Sequence, residues 1–595
     1  MKQRTDDKRL VKTYGSHFIP YFPHRELGYV LFRQGKIKEA IHELEVSLSM
    51  EKSAKAEYYL DEARKTIVIN EDKDEPQIFI SGPCQSDKRC ISKEFTVRVE
   101  GKAKDDKYVR HINVRSETDS KNIPIDVSAP EIRFKTDVNI TSGEQAVYIY
   151  ATDLAGKRSE TSVVRVFGDH RGPVISIAEI KKNKRGNLNV KINVSDDSGI
   201  KDIDMKGMKT IKGKEKKNIV FRKDIDVNIF GKNIAMEAED IAGNITKAEL
   251  DLSEYLTDDS FRSLLSAYSP AAPELISDTS KAVTSVKHRK KARIQIISPR
   301  CSDYETLDDV INIDGAVFDR NGLIKEIIVS KEDKNIVHIP YKGYQTNFSE
   351  RIYLEKEYNR ITVSAIYKDK KSGKKEYKLK IRKKPLHEVR EPLKIYITDF
   401  KRLTEKQHKY ESKKVEDIMY RHMLEKKRFM VERIHNDPEH NITFKDCLLS
   451  GFFEEGPNGL NLSIELKYAS EKSMTILSKD AYTPDKKGKD KIIETIIRKL
   501  HDELPVLKGI VWEKDKSNRE IMVDIGKEKK IRKGIRLLIY RAKDSIHPTL
   551  RRHTISIDHI GKAEITRTGD KESYAKLMHD ADKDKIVSKD LVITY

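Results

Sequence analysis

A turn motif recurring between alternating apolar runs constrains this chain most. Residues 148–166 read YIYATDLAGKRSETSVVRV and residues 234–252 read IAMEAEDIAGNITKAELDL; residues 360–381, RITVSAIYKDKKSGKKEYKLKI, are a looser third copy. Each is strand, Asp-and-Gly turn, strand. Aspartate folds its carboxylate back onto the turn backbone, and glycine supplies positive φ at no steric cost. A second motif, NVSDDSGIKDIDM at 193–205, is echoed by AVFDRNGLIKEIIV at 316–329, and PQIFISGP, GPVISIAEI and IQIISPR each open a unit. A period of two, reversed at regular intervals, predicts β-sandwiches in series, each with its own small core, over residues 75–168, 172–252 and 293–384.

These segments resemble the bacterial immunoglobulin-like domains of surface and periplasmic proteins, whose closing hairpin carries an Asp-x-x-Gly-Asn turn. Asp240 to Asn244 matches fully; Asp153 to Gly156 is followed by Lys157, and the third unit offers only Lys371-Ser372-Gly373. The resemblance implies a fold more than a function. Calcium at Asp196, Asp197 or Asp240 is not expected, because one Asp-rich turn supplies two or three of the six to eight oxygens the ion takes.

The 595-residue chain, too long for one core, divides further around these units. An arm (1–22) precedes a helical segment (23–70), LGYVLFRQGKIKEAIHELEVSLSM, whose apolar residues keep a helical period interrupted by Gly35. Leu27, Gly28, Gly35, Ala40 and Leu44 fall at the offsets of the tetratricopeptide repeat, which this segment resembles. That resemblance makes these five the packing positions of a helix pair, and one and a half repeats favour docking over a long peptide groove. Residues 253–292 form a Ser-, Ala- and Pro-rich linker ending in His288, Arg289, Lys290 and Lys291, a basic run that could touch an anionic surface.

After a Pro385–Pro392 linker, residues 392–505 read strand (LKIYITDF), helix, strand, hairpins and helix, with a turn at Gly456-Pro457-Asn458-Gly459. This order, with Arg428-Phe429 and the Leu448–Gly451 strand, resembles the α/β fold of the curli-secretion lipoprotein family and of the N-terminal domain of the TolB translocation protein. No spare length exists here for membrane hairpins, so the resemblance implies assembly, not a channel. Residues 506–595 alternate as short strands with turns at Gly526 and Gly534, and resemble the small β-barrel of flagellar H-ring proteins. Nucleic-acid binding by such a barrel needs exposed aromatics, for which Trp512 and Tyr540 are the candidates. The expected fold class is therefore multidomain: an α-helical repeat, three all-β Ig-like sandwiches, one α/β (α+β) domain and one small β-barrel.

Lys and Arg number 116 against 96 Asp and Glu, a net charge of +20 that attracts anions without choosing among them. No apolar run reaches the length of a membrane helix. The polar start, MKQRTDDKRLVKTYG, lacks a secretory core; either the protein stays in the cytoplasm or the numbering begins after a removed leader, and the domain types favour the second. Of four cysteines, Cys84 and Cys90 flank a turn-rich stretch and could close a disulfide in an oxidising compartment. Phosphate loops, nucleophile elbows and zinc motifs do not occur, and His435, Asp437 and His440 lack ligand spacing, so no catalytic residue, metal or cofactor is expected. Together these readings point to a non-enzymatic cell-envelope scaffold, periplasmic or surface-associated. Its partners would be other envelope proteins in an oligomeric assembly, with the sandwiches as semi-rigid spacers in an elongated particle. The rival is a binder of an anionic polymer, surface polysaccharide or nucleic acid. No small-molecule substrate is implied.

Overall fold

The computed structural model of the chain describes residues 6–12, 18–82, 90–123, 125–182, 187–205, 209–226, 233–251, 292–319, 321–369, 373–390, 392–402, 409–425, 429–434, 447–456, 459–468, 475–485, 488–515, 519–578 and 584–595. The protein is mostly β, with several sheets, one closed barrel of six strands and few helices.

Three helices, Pro23–Arg33, Ile37–Met50 and Ala54–Glu71, form the N-terminal unit. Gly28 sets the first crossing. A Cβ there would lie 2.7 Å from Leu44 Cγ and 3.2 Å from the Ala40 carbonyl, so only a bare backbone fits. Ala40 and Leu44 are fully buried, and Gly35, at φ +77°, ends the first helix. Leu27 departs from expectation. It is 46% exposed, because one residue along a helix turns a side chain about 100° away from its neighbour's face. The Asp7 carboxylate accepts from the His24 and Arg25 amides, satisfying donors the first turn leaves open.

The first sandwich is organised by one 20-residue strand, Thr96–Arg115. Its first half pairs with Gln77–Gly82 and Ala129–Asn139, its second with Ser120–Ile123 and Gly143–Asp153. Cys90–Ser92 lies parallel to Ser162–Gly168. Val99, Ile112, Val147 and Ile149 fill the core.

The second and third sandwiches are not beads on a string. Strand Val174–Lys182 of the second pairs with Gln345–Tyr353 of the third, Ile175 opposite Asn347 and Ile177 opposite Gln345. A single six-stranded sheet thereby runs through both, ordered Asn218–Ile225, Leu188–Ser195, Val174–Lys182, Gln345–Tyr353, Val310–Phe318, Arg293–Ser298. The apolar cores stay distinct, one around Ile192 and Ile203, the other around Phe348 and Val363. Residues 253–291 of the expected linker, with His288 to Lys291, lie outside the described residues, while Ala292 is buried in the third core.

In the α/β unit Leu393–Thr398 lies between parallel Phe429–Ile434 and Cys447–Gly456, followed by antiparallel Gly459–Tyr468 and Thr475–Thr483. Helices Lys409–Glu425 and Lys489–Glu503 cover it, burying Met419, Ile493 and Ile496. The barrel closes in the order Lys508–Asp515, Glu520–Val523, Ser573–Leu577, His553–Thr568, Arg536–Ile546, Leu591–Thr594. Its Tyr540 is 2% exposed, so of the two expected aromatics only Trp512, 63% exposed, faces outward.

Units far apart in the sequence are also in contact. Tyr59 and Tyr482 share a hydroxyl hydrogen bond of 2.7 Å, and the Ala54 amide donates to Asp480, tying the helical unit to the α/β unit. Glu57 lies at this seam, where burial, then Asp126 and Asp480, push its carboxyl up to about 7 from 4.5. A raised acid favours the folded state while protonated, so docking loses stability as pH rises from about 4.5 to 7. We expect Glu57→Gln to flatten the pH dependence of amide exchange in residues 54–59. An unchanged profile would refute the role of Glu57.

Candidate functional site at the junction of three sandwiches

Residues 168–174, GDHRGPV, link the first sandwich to the second, and the third closes over them. The Asp169 amide donates to the Ser92 carbonyl at 2.8 Å. His170 stacks on Phe95 with centroids 3.9 Å apart and meets the Lys93 carbonyl at 3.1 Å through Nδ1, which must therefore carry the proton. Burial pushes this imidazole below its ordinary value. From the third sandwich, the Arg351 amide donates to the His170 carbonyl at 2.8 Å, and the Gly172 amide donates to the Ser349 carbonyl at 2.9 Å. The Arg351 guanidinium reaches the Lys93 carbonyl and forms an ion pair with Glu94 at 3.1 Å. Asn244 of the second sandwich donates through Nδ2 to the Asp169 and Arg171 carbonyls. All three sandwiches are thus bonded to one seven-residue connection.

The seam between the second and third is polar and buried. Gln345, Thr346, Asn347, Ser349 and Glu350 are all buried. Asn347 Nδ2 donates to the Ile175 carbonyl, Gln345 Nε2 to the Glu249 carbonyl, and Ser176 and Thr346 share a hydroxyl bond at 3.2 Å. Buried polar groups matched in this way specify one docking geometry, because any slip leaves them unpaired. Burial raises the Glu350 carboxyl to about 8, with Arg171 opposing and Asp169 reinforcing.

Asp169, Asp196 and Asp240 converge here, each offering a carboxylate oxygen within 4.8 Å of the others, and all are buried. Burial first, then neighbouring carboxylates, raises Asp240 to about 7 and Asp169 to about 6. Asp240 accepts the Asn244 amide and side chain at 2.8 Å, and Asp196 accepts from Ser198 and Gly199, the turn chemistry expected from the motif. The turn-by-turn count of ligands did not anticipate that three segments bring their carboxylates together. Such a set can hold a cation.

Cys90 is disulfide-bonded, Cys301 and Cys447 are buried thiols outside any disulfide, and Cys84 lies outside the described residues. The Cys90 strand leads directly into Ser92, Lys93 and Phe95, the residues that clamp the junction. Leu27, Gly28, Gly35, Ala40 and Leu44 belong to the helical unit and contribute nothing to it. Asp169, His170, Glu350 and Arg351 escaped the sequence reading. The available signal was a polar GDHRGP run at a domain boundary, with Asp169 as far ahead of its opening strand as Asp72 is ahead of Gln77–Gly82.

No protein-family model and no curated protein matches the chain. Among solved structures, the fibronectin(III)-like modules of Clostridium thermocellum CbhA align at 10% identity over 51% of this chain and 93% of theirs, with a TM-score of 0.13. A 1.5-MDa bacterial ice-binding adhesin, in a structure described for host cell surface retention, aligns at 9% over 52% and 97%, with a TM-score of 0.20. The Ca2+-stabilized adhesin of an Antarctic bacterium aligns at 7% over 82% and 98%, with a TM-score of 0.18. At these scores the likenesses name neighbours and decide nothing about this chain.

Proposed function

We propose that the protein is a non-enzymatic scaffold of the cell envelope, in which three sandwiches are fused into a rigid body that holds a helical unit, an α/β unit and a barrel in fixed relation. The observation that supports it most is the pairing of strand Val174–Lys182 with strand Gln345–Tyr353, because sharing a sheet removes the hinge that a spacer chain would have. The outer units then serve as attachment faces for other envelope proteins in an oligomeric assembly. The resemblance of residues 392–505 to assembly-type lipoprotein domains, and of the barrel to H-ring proteins, adds to this reading.

Export has a direct test. Protein isolated from its native cells without reductant should fractionate with the envelope, in a complex larger than its own 68.7 kDa. After denaturation it should present two alkylatable thiols, Cys301 and Cys447. Free monomer in the cytosol with Cys90 reduced would overturn the proposal.

A further inference from the structure

Two acidic clusters sit at the corresponding end of consecutive sandwiches, sharing two of three positions and differing in the residue set beside them. Backbone hydrogen bonds establish the correspondence. The Asp153 amide donates to the Lys157 carbonyl and the Asp240 amide to the Asn244 carbonyl; likewise Leu154 donates to Tyr108, and Ile241 to Gly199. Asp153 therefore corresponds to Asp240, and Lys157 to Asn244. Asp105 and Asp196 stand alike just before Tyr108 and Gly199, while Asp72 and Asp169 precede the opening strands.

In the first sandwich Asp72, Asp105 and Asp106 bring carboxylate oxygens within 4.8 Å of one another. The chain supplies its own cation there. Lys157 Nζ lies 3.1 Å from Asp72 Oδ1 and donates to the Asp72 carbonyl at 2.5 Å. In the second, the corresponding residue is the neutral Asn244, while the Arg171 guanidinium is engaged by Asp197. Asp169 is 5% exposed; its Oδ2, like Asp72 Oδ2 in the first sandwich, accepts no hydrogen bond, the nearby Ser198 hydroxyl being donated to Asp196. A buried carboxylate oxygen without a partner is costly, and more so beside two other carboxylates. In the third sandwich the Tyr367 amide makes the corresponding bond, to Gly373, so a tyrosine stands in the aspartate's place.

We propose that Asp169, Asp196 and Asp240 bind one hard divalent cation of the calcium class, which does for the second sandwich what the Lys157 ammonium does for the first. The donors are all oxygen, the set that hard cations select. Oxygens bound at about 2.4 Å to a common ion lie at most about 4.8 Å apart, which this trio satisfies. Asn244, which donates to Asp240, also lines an open cleft between the three sandwiches with Lys93, Ser349 and Arg351. The ion would bind residues from both ends of the connection and so fix the junction.

The test uses the full chain, stripped with chelator and followed by calorimetry as calcium or magnesium is added. At about a hundredfold excess over the dissociation constant the sandwich transition should rise by about 5–10 °C. Asp240→Asn and Asp196→Asn should each abolish the rise, whereas Asp153→Asn should keep it whatever it does to the baseline. Asn244→Lys, which transplants the first sandwich's ammonium, should raise the cation-free midpoint and lose the response. Wild-type protein that ignores both ions, or an equal rise in Asp240→Asn, overturns the proposal.

Discussion

Gly343→Ala is expected to uncouple the second and third sandwiches and to cost about 3–5 kcal/mol. Gly343 sits at φ +78°, and a Cβ there would lie 2.0 Å from the Ile177 carbonyl oxygen and 2.6 Å from Ala178 Cα. Both obstacles are backbone of the opposite strand, which cannot rotate away. The next residue, Tyr344, donates its amide to that same Ile177 carbonyl at 2.8 Å. Displacing the turn therefore breaks this bond and loosens the short ladder behind it, leaving Ser176, Thr346 and Asn347 without matched partners. Gly322→Ala is the control. It has φ +64° with nothing within 4 Å, so it isolates the left-handed strain, about 1–2 kcal/mol. Denaturant unfolding should show the Gly343 variant far below the Gly322 variant, and amide exchange should accelerate at 174–177 and 345–347 while Ile192 and Val363 stay protected. Equal midpoints for the two variants would show that the shared sheet contributes nothing.

Local chemistry was legible in the sequence, and long-range pairing was not. Asp153 accepts the Gly156 and Lys157 amides at 2.7 and 2.8 Å, and Asp240 the Asn244 amide. Those bonds span three or four residues, so spacing alone reveals them and, with them, the strand reversals that define the sandwiches. The alternating segments of the C-terminal barrel and the helical period of Lys489–Glu503 were visible for the same reason. Gln345 to Glu350 shows the limit. QTNFSE looks like a solvated edge strand, yet every one of its residues is buried, and its edge pairs with a strand some 170 positions earlier. Nothing in an alternating pattern announces a polar seam whose amides and hydroxyls pair across it. The junction acids were hidden similarly: each aspartate had a sufficient local explanation in its own turn, and only their convergence suggests a cation. Leu27 and Tyr540 failed on facing, since an apolar residue at the right spacing still has to be assigned inward or outward.

Arg382→Met should loosen the third sandwich from the barrel at a cost of about 1–3 kcal/mol, short of the penalty for a wholly unpaired buried carboxylate because Lys384 stays 3.4 Å from Glu305. Arg382 bonds Glu305 at 3.1 Å, Glu357 at 2.9 Å and also Glu388. Glu305 is 4% exposed and links across to the barrel, accepting the Ile555 amide at 3.1 Å. Lys384 reinforces that link by donating to the Ile555 carbonyl at 2.9 Å, and Tyr304 stacks on His553 with centroids 4.1 Å apart. Burial alone would raise the Glu305 carboxyl; the Ile555 amide, Arg382 and Lys384 more than offset it and hold it below 4.5. A depressed acid stabilises the fold above its unfolded value and loses that contribution as pH falls, so the contact should weaken below about pH 4. Methionine keeps the aliphatic stem of arginine and removes its charge, so the loss reads electrostatics more than packing. The double variant Arg382→Met/Glu305→Gln should recover much of it, because a neutral amide can still accept from Ile555 without carrying an unpaired charge. If the double variant is no more stable than Arg382→Met alone, the arginine acts through Glu357 and Glu388 at the surface, and the barrel is held by the Tyr304–His553 stack and the Lys384 bridge instead.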